Sequence, residues 1–231
     1  MQIHGFNKTT LLDYPQHLAA TIFLGSCNMR CPFCHNSSLV LHPDSLPAIP
    51  AEEVLSYLTK RKGILEGVCI TGGEPTVNPD LPDLIKAIKA LGLKVKLDTN
   101  GTNPSLLKAL VEDQLIDYVA MDIKNSREHY GLSVGIKDYN TNKINDSITY
   151  LLTSPIAYEF RTTIVKEHHT LEDIRSIGQW INGAEAYYLQ SYKDSGEILS
   201  PGLSSHTKDT LLSFVKLLTP YVGKVELRGV D

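Results

Sequence analysis

The sequence predicts an α/β fold of six or seven β/α units in a single domain spanning residues 1–231. Two observations carry that prediction. Short apolar, β-branched runs alternate with amphipathic helical stretches, the rhythm of parallel strands joined by crossover helices. The distinctive polar segments then fall just after predicted strands, at the carboxyl ends where α/β folds build their sites. So many units favour a partial or complete barrel over an open doubly wound sheet, although periodicity alone leaves that choice open.

Strands are expected at 19–24 (AATIFL), 67–71 (GVCIT), 94–98 (KVKLD), 118–123 (YVAMDI), 159–165 (EFRTTIV), 185–190 (EAYYLQ) and 224–227 (KVEL), each a β-branched or aromatic run bounded by turn residues. Helices are expected at 51–62, 79–91, 104–112, 143–152, 171–181 and 208–218, where apolar residues recur at three- and four-residue spacing. Asn103-Pro104 offers an N-cap and a first-turn proline, Thr170 and Asp173 have capping-box spacing, and Gly92 sits where a helix stops. The segment NSREHYGLSVGIKDYN, 125–140, reads as a loop or lid because of its glycines and polar residues.

Composition excludes several classes. The chain is 42% hydrophobic and 21% charged, ordinary for a soluble globular protein, and no apolar run approaches the roughly 20 residues of a membrane helix. A net charge of −4 argues against nucleic-acid binding, which leaves a basic footprint. The amino-terminal MQIHGFNKTTLLDYP has neither the basic head nor the apolar core of a secretory signal, so the cytoplasm is the expected location.

Three of the four cysteines crowd into GSCNMRCPFCHN, 25–36. In a reducing compartment such crowding points to metal or catalytic chemistry before disulfides. The spacing of Cys27, Cys31 and Cys34, C-x3-C-x2-C, suits zinc or an iron–sulfur cluster. A structural zinc site needs a fourth ligand, and His35 follows Cys34 too directly to share the ion easily. Three thiolates instead fit a cluster with one iron left open. Simple burial explains such crowding poorly, but it suffices for Cys69 in GVCITG, read as a small buried hydrophobe.

CNMRCPFCHN has the C-x3-C-x-aromatic-C pattern of the radical S-adenosylmethionine (radical SAM) enzymes. With CHN, GFNKTTLLDYP, TGGEP, DTNG, MDIK, EFRTTIV, YYLQSYKDSG and VELRGV, most of the chain resembles the glycyl-radical-enzyme activases in that superfamily, above all the activating proteins of anaerobic ribonucleoside-triphosphate reductase. The resemblance implies a partial (β/α)6-type TIM barrel and a [4Fe-4S] cluster on Cys27, Cys31 and Cys34. It also implies S-adenosylmethionine chelated at the open iron and cleaved reductively to a 5′-deoxyadenosyl radical, which takes a hydrogen atom from a backbone glycine of the partner enzyme. The cofactors carry that chemistry, and the protein orients them. With too few cysteines for a second cluster, the chain is expected to draw its electron from flavodoxin or ferredoxin.

Further site residues follow from the resemblance. The backbone of Gly72, Gly73 and Glu74 is expected at the ammonium of S-adenosylmethionine, and Phe33 at its adenine; a tight turn and loop packing are the plainer explanations. Asp98 and Asp122, with the carbonyls of Thr99 and Ala120, are expected to hold a monovalent cation. Lys124 is expected near the nucleoside or carboxylate, and Arg161 on the carboxylate. Strand alternation puts Lys96 with Asp98 on one face and pairs Asp122 with Lys124, so an internal ion-pair network explains these charges equally well. For Arg161 the plainer partner is Glu159 or an acid on a neighbouring strand.

One departure stands out. LQSYKDSG presents Lys193 about where the formate-lyase activases present a histidine, which weakens formate-lyase activation as the function. Gln190 and Tyr192 are candidates to line the opening, and His168-His169 is expected in a turn, on the surface or at a cap. The alternatives are activation of another glycyl radical enzyme, a radical SAM reaction on a small molecule, or a zinc-binding module without catalysis.

Overall fold

The computed structural model of the chain describes residues 2–194, 196 and 198–230. Ser195, within the YYLQSYKDSG segment, lies outside the described residues. The chain divides into two compact units, Met1–Asn28 with Ser38–Ala120, and Met29–Ser37 with Met121–Asp231.

The first unit opens with β1 (Ile3–Thr10), antiparallel to β2 (Ala19–Leu24). β3 (Gly67–Gly72) and β4 (Lys94–Thr99) then pair in parallel, with Ala19, Gly67 and Lys94 in register. Strands that start level also end level, which gathers the loops after β2, β3 and β4 at one end. Between the strands run α1 (Ser37–Leu41), α2 (Ala51–Lys60), α3 (Leu81–Ala90) and α4 (Pro104–Glu112). Ile22, Leu24, Val68, Ile70, Val95 and Leu97 are fully buried, as are Ile85 and Ile88 of α3, which packs against β4. Each such side chain contributes about 1.5–3 kcal/mol of burial free energy.

β5 (Tyr118–Asp122) begins in the first unit, where the Asp117 N–H donates to Val95 O, and ends in the second, where the Ile123 N–H donates to Arg161 O. The second unit continues with α5 (Tyr130–Val134), α6 (Asn142–Thr153), β6 (Ala157–Ile164), α7 (Leu171–Trp180), β7 (Ala186–Ser191), α8 (Lys208–Leu218) and β8 (Lys224–Arg228). β6, β7 and β8 are parallel, with Phe160, Tyr187 and Val225 in register.

The expected strand and helix order is therefore present, with edges moved by up to two residues. The caps are also as expected. Asn103 accepts the Leu106 N–H, Thr170 and Asp173 close a reciprocal capping box, and Gly92 has φ +83°. Three elements differ, β1, α1 and α5, none of which has a counterpart in the sequence-based expectation. β1 was not predicted because IHGFNKTT lacks clean alternation, as suits a strand with one neighbour. The expected loop or lid at 125–140 instead carries α5, which ends on Gly135 in the left-handed conformation. Asn125, Ser126, Tyr130, Ser133 and Val134 are all buried there, so packing overrides the segment's polar composition.

Candidate functional site

The thiol loop leaves β2 through Ser26, which has φ +69°. All four cysteines are thiols, with Cys27 and Cys34 half-buried and Cys31 and Cys69 buried. The part of the loop in the second unit is held at three points. The Arg30 N–H donates to Val134 O at 2.9 Å, the Ser200 N–H donates to Pro32 O at 2.9 Å, and His35 Nε2 meets Lys193 O at 2.6 Å. Cys34 N–H closes a turn onto Cys31 O at 3.0 Å.

Cys27 lies in the first unit, against the turn after β3. A Cβ added to Gly73 would stand 2.0 Å from Ser26 O and 3.4 Å from Cys27 Cβ; one added to Gly72, at φ +117°, would stand 2.3 Å from Leu24 O. Both glycines thus admit backbone from the chain itself. The Gly73 and Glu74 N–H groups are bonded to Leu24 O and Ser26 O, each at 2.8 Å, so these two residues could offer an ammonium a carbonyl oxygen.

The Glu74 side chain, 1% exposed, turns away to bind the next loop. It accepts from Thr76 N and Oγ1, Thr99 Oγ1 and Asn100 N. Burial pushes its carboxyl up, and those hydrogen bonds work the other way. The Asn100 amide donates to Asn28 Oδ1 at 2.9 Å, and Asn28 donates to Thr102 Oγ1 at 2.8 Å. Sequence reasoning missed Asn28, Asn100 and Thr102; an asparagine beside a ligand cysteine and another in DTNG were the available signal.

Asp98 pairs with Lys96 on its own strand, and that lysine side chain is only 3% exposed. Cys69 belongs to the same cluster, with Sγ 3.6 Å from Asp98 Oδ1 and 3.7 Å from Lys96 Nζ. Its expected burial holds, but its neighbours are charged.

In the second unit Asp122 takes Lys124 Nζ on one oxygen and Arg161 Nε on the other, both at 2.9 Å. Burial alone would raise the Asp122 carboxyl, but these two cations hold it at about 2. Burial likewise works against the Lys124 ammonium, and Asp122 and Cys31 raise it above the usual lysine range. Glu159, the other plainer partner expected for Arg161, accepts from Arg228 through two bonds of 2.7 and 2.9 Å.

Phe33 is buried and stands edge-on to His168, with ring centroids 5.6 Å apart. The histidine pair is inside, not at the surface: His168 is 7% exposed and His169 0%. His169 Nδ1 accepts the Val165 N–H at 3.0 Å, and Nε2 donates to the Lys124 carbonyl at 2.9 Å. A ring so placed is neutral, and burial lowers its pKa to about 4. Two adjacent polar residues after a strand resemble a turn, and nothing in their spacing disclosed that one of them ties the β6 loop to the β5 loop.

These residues fit the expected cofactors. Three soft thiolates suit iron, and a buried Tyr192 hydroxyl without a hydrogen-bond partner lies on a ring stacked against His35, next to Cys34. Among the described residues no three His, Cys, Asp or Glu side chains close around a single metal ion; a cluster brings its own irons and sulfides between thiolates. No described helix is long and apolar enough to cross a membrane.

Comparisons with known proteins agree. A protein of Methanocaldococcus jannaschii provisionally described as a glycyl-radical enzyme activating enzyme is 30% identical over 99% of this chain and 96% of its own length. The pyruvate formate-lyase-activating enzyme of Clostridium pasteurianum is 29% identical over 54% of this chain and 52% of its own. The fold matches Streptococcus suis SuiB bound to S-adenosylmethionine, with a TM-score of 0.70 and 16% identity over 91% of this chain and 52% of SuiB, of which this chain spans about half. The model of the Radical SAM superfamily matches residues 21–181, the stretch that carries the thiol loop and the Gly72–Glu74, Asp98, Asp122, Lys124 and Arg161 candidates. The chain belongs to the radical SAM superfamily, whose cofactors are a [4Fe-4S] cluster and S-adenosylmethionine.

Proposed function

We propose that this protein is a glycyl-radical-enzyme activating enzyme, with anaerobic ribonucleoside-triphosphate reductase as its partner and flavodoxin or ferredoxin as its electron donor. The observation that carries the reading is the near end-to-end likeness to the archaeal activating enzyme. Lys193, about where the formate-lyase activases present a histidine, weighs against formate lyase as the target.

In this reading Cys27, Cys31 and Cys34 hold the cluster, which supplies the electron that cleaves S-adenosylmethionine when both are bound. The carbonyls of the Gly72–Glu74 turn accept from the ammonium of that cofactor. Lys124 and Arg161 both meet Asp122, and their N–H donors are suited to the carboxylate of S-adenosylmethionine. Phe33 packs at the adenine, and His169 holds the Lys124 backbone in place. Glu74 braces the loops with its side chain.

Isotope transfer tests the proposal. A reductase deuterated at its glycine α-carbons, incubated with reconstituted protein, S-adenosylmethionine and reductant, should pass deuterium into 5′-deoxyadenosine. Abundant 5′-deoxyadenosine without deuterium would move the substrate to another protein or a small molecule.

A further inference from the structure

Asp98 and Asp122, the two carboxylates expected to hold a monovalent cation, each stand against cationic side chains of the chain itself. Each carboxylate already has a protein cation within its own unit: Lys96 on Asp98, and Lys124 with Arg161 on Asp122. The Asp98 arrangement is the more telling. Lys96 is a strand residue turned inward, its side chain 3% exposed, and a buried ammonium is costly unless a carboxylate faces it. In the β-ladder Lys96 lies directly opposite Cys69, and the thiol completes the cluster at 3.6–3.7 Å from both charged groups. Asp98 in turn precedes Thr99, the last residue of β4, whose hydroxyl donates to Glu74.

We infer that Lys96 is a positioning residue, a built-in counter-cation that keeps Asp98 ionised and aimed and thereby makes binding of S-adenosylmethionine independent of added monovalent cations. This rests on the reading of Asp98 as a cofactor residue. The ammonium brings the charge an inorganic ion would bring, tethered so that no binding step is needed.

The test uses the reconstituted protein under anaerobic conditions and reads the affinity for S-adenosylmethionine by calorimetry. The parent should bind equally well in sodium, potassium or choline buffer. Lys96→Ala should bind about tenfold or more weakly in choline, and methylammonium, which fits the space left, should recover most of the loss. Lys96→Met with Asp98→Asn removes both charges; it should fold with parental circular dichroism, bind weakly and ignore methylammonium. It keeps the question answerable if Lys96→Ala alone fails to fold. Parental affinity of Lys96→Ala in choline, recovery of the double variant by methylammonium, or a strong sodium or potassium requirement in the parent would each overturn the inference. Parental affinity in Asp98→Asn alone would instead remove the reading of Asp98 on which it rests.

Discussion

His169 shows how much one side chain can set at this site. It joins the Val165 turn to the Lys124 backbone, and it makes that link as a neutral ring. An unfolded histidine titrates near 6.5, whereas this one stays neutral until about pH 4. Protons therefore bind the unfolded chain first as pH falls. The stability that His169 contributes is complete above about pH 6.5 and is lost progressively down to about pH 4, to a total of about 3 kcal/mol. Urea unfolding of parent and His169→Gln across that range should show their difference shrinking with acid; a constant difference would mean the ring is not held neutral. The cysteines divide in a similar way. Alanine at Cys27, Cys31 or Cys34 should abolish 5′-deoxyadenosine formation and lower iron below about four per chain, while Cys69→Ala should keep its full iron content. Iron loss in the Cys69 variant would mean that its thiol serves the cluster.

At the scale of elements, the strand-to-loop junctions decide the geometry. The turn after β3 meets the end of β2 backbone to backbone, and only glycine permits it. Gly73→Ala forces a methyl onto Ser26 O and should lower stability by about 1–3 kcal/mol or more, with reduced iron incorporation. Gly92→Ala meets no neighbour and should cost only the strain of its left-handed backbone, about 1–2 kcal/mol, with iron unchanged. Equal iron in both variants would separate the turn from cluster assembly. The parallel strands and their helices were legible because their apolar residues repeat at fixed periods. β1 and α5 were not, since an edge strand needs only one satisfied side and α5 is defined by what covers it. The charged strand residues were legible as a set, but their pairing was not: Arg161 meets Asp122 on the neighbouring strand, and Glu159 meets Arg228 from the far end of the chain. Long-range partners of that kind leave no periodic mark.

For the whole molecule, the proposed act is removal of a hydrogen atom from a glycine of a partner enzyme. The cofactors supply the radical, and the protein must place a protein loop beside it. The most direct measurement is electron paramagnetic resonance of anaerobic ribonucleotide reductase incubated with this protein, S-adenosylmethionine and reduced flavodoxin. The account predicts a glycyl radical on the reductase that requires all three and disappears with Cys31→Ala. Rapid formation of 5′-deoxyadenosine with no radical on the reductase would contradict it.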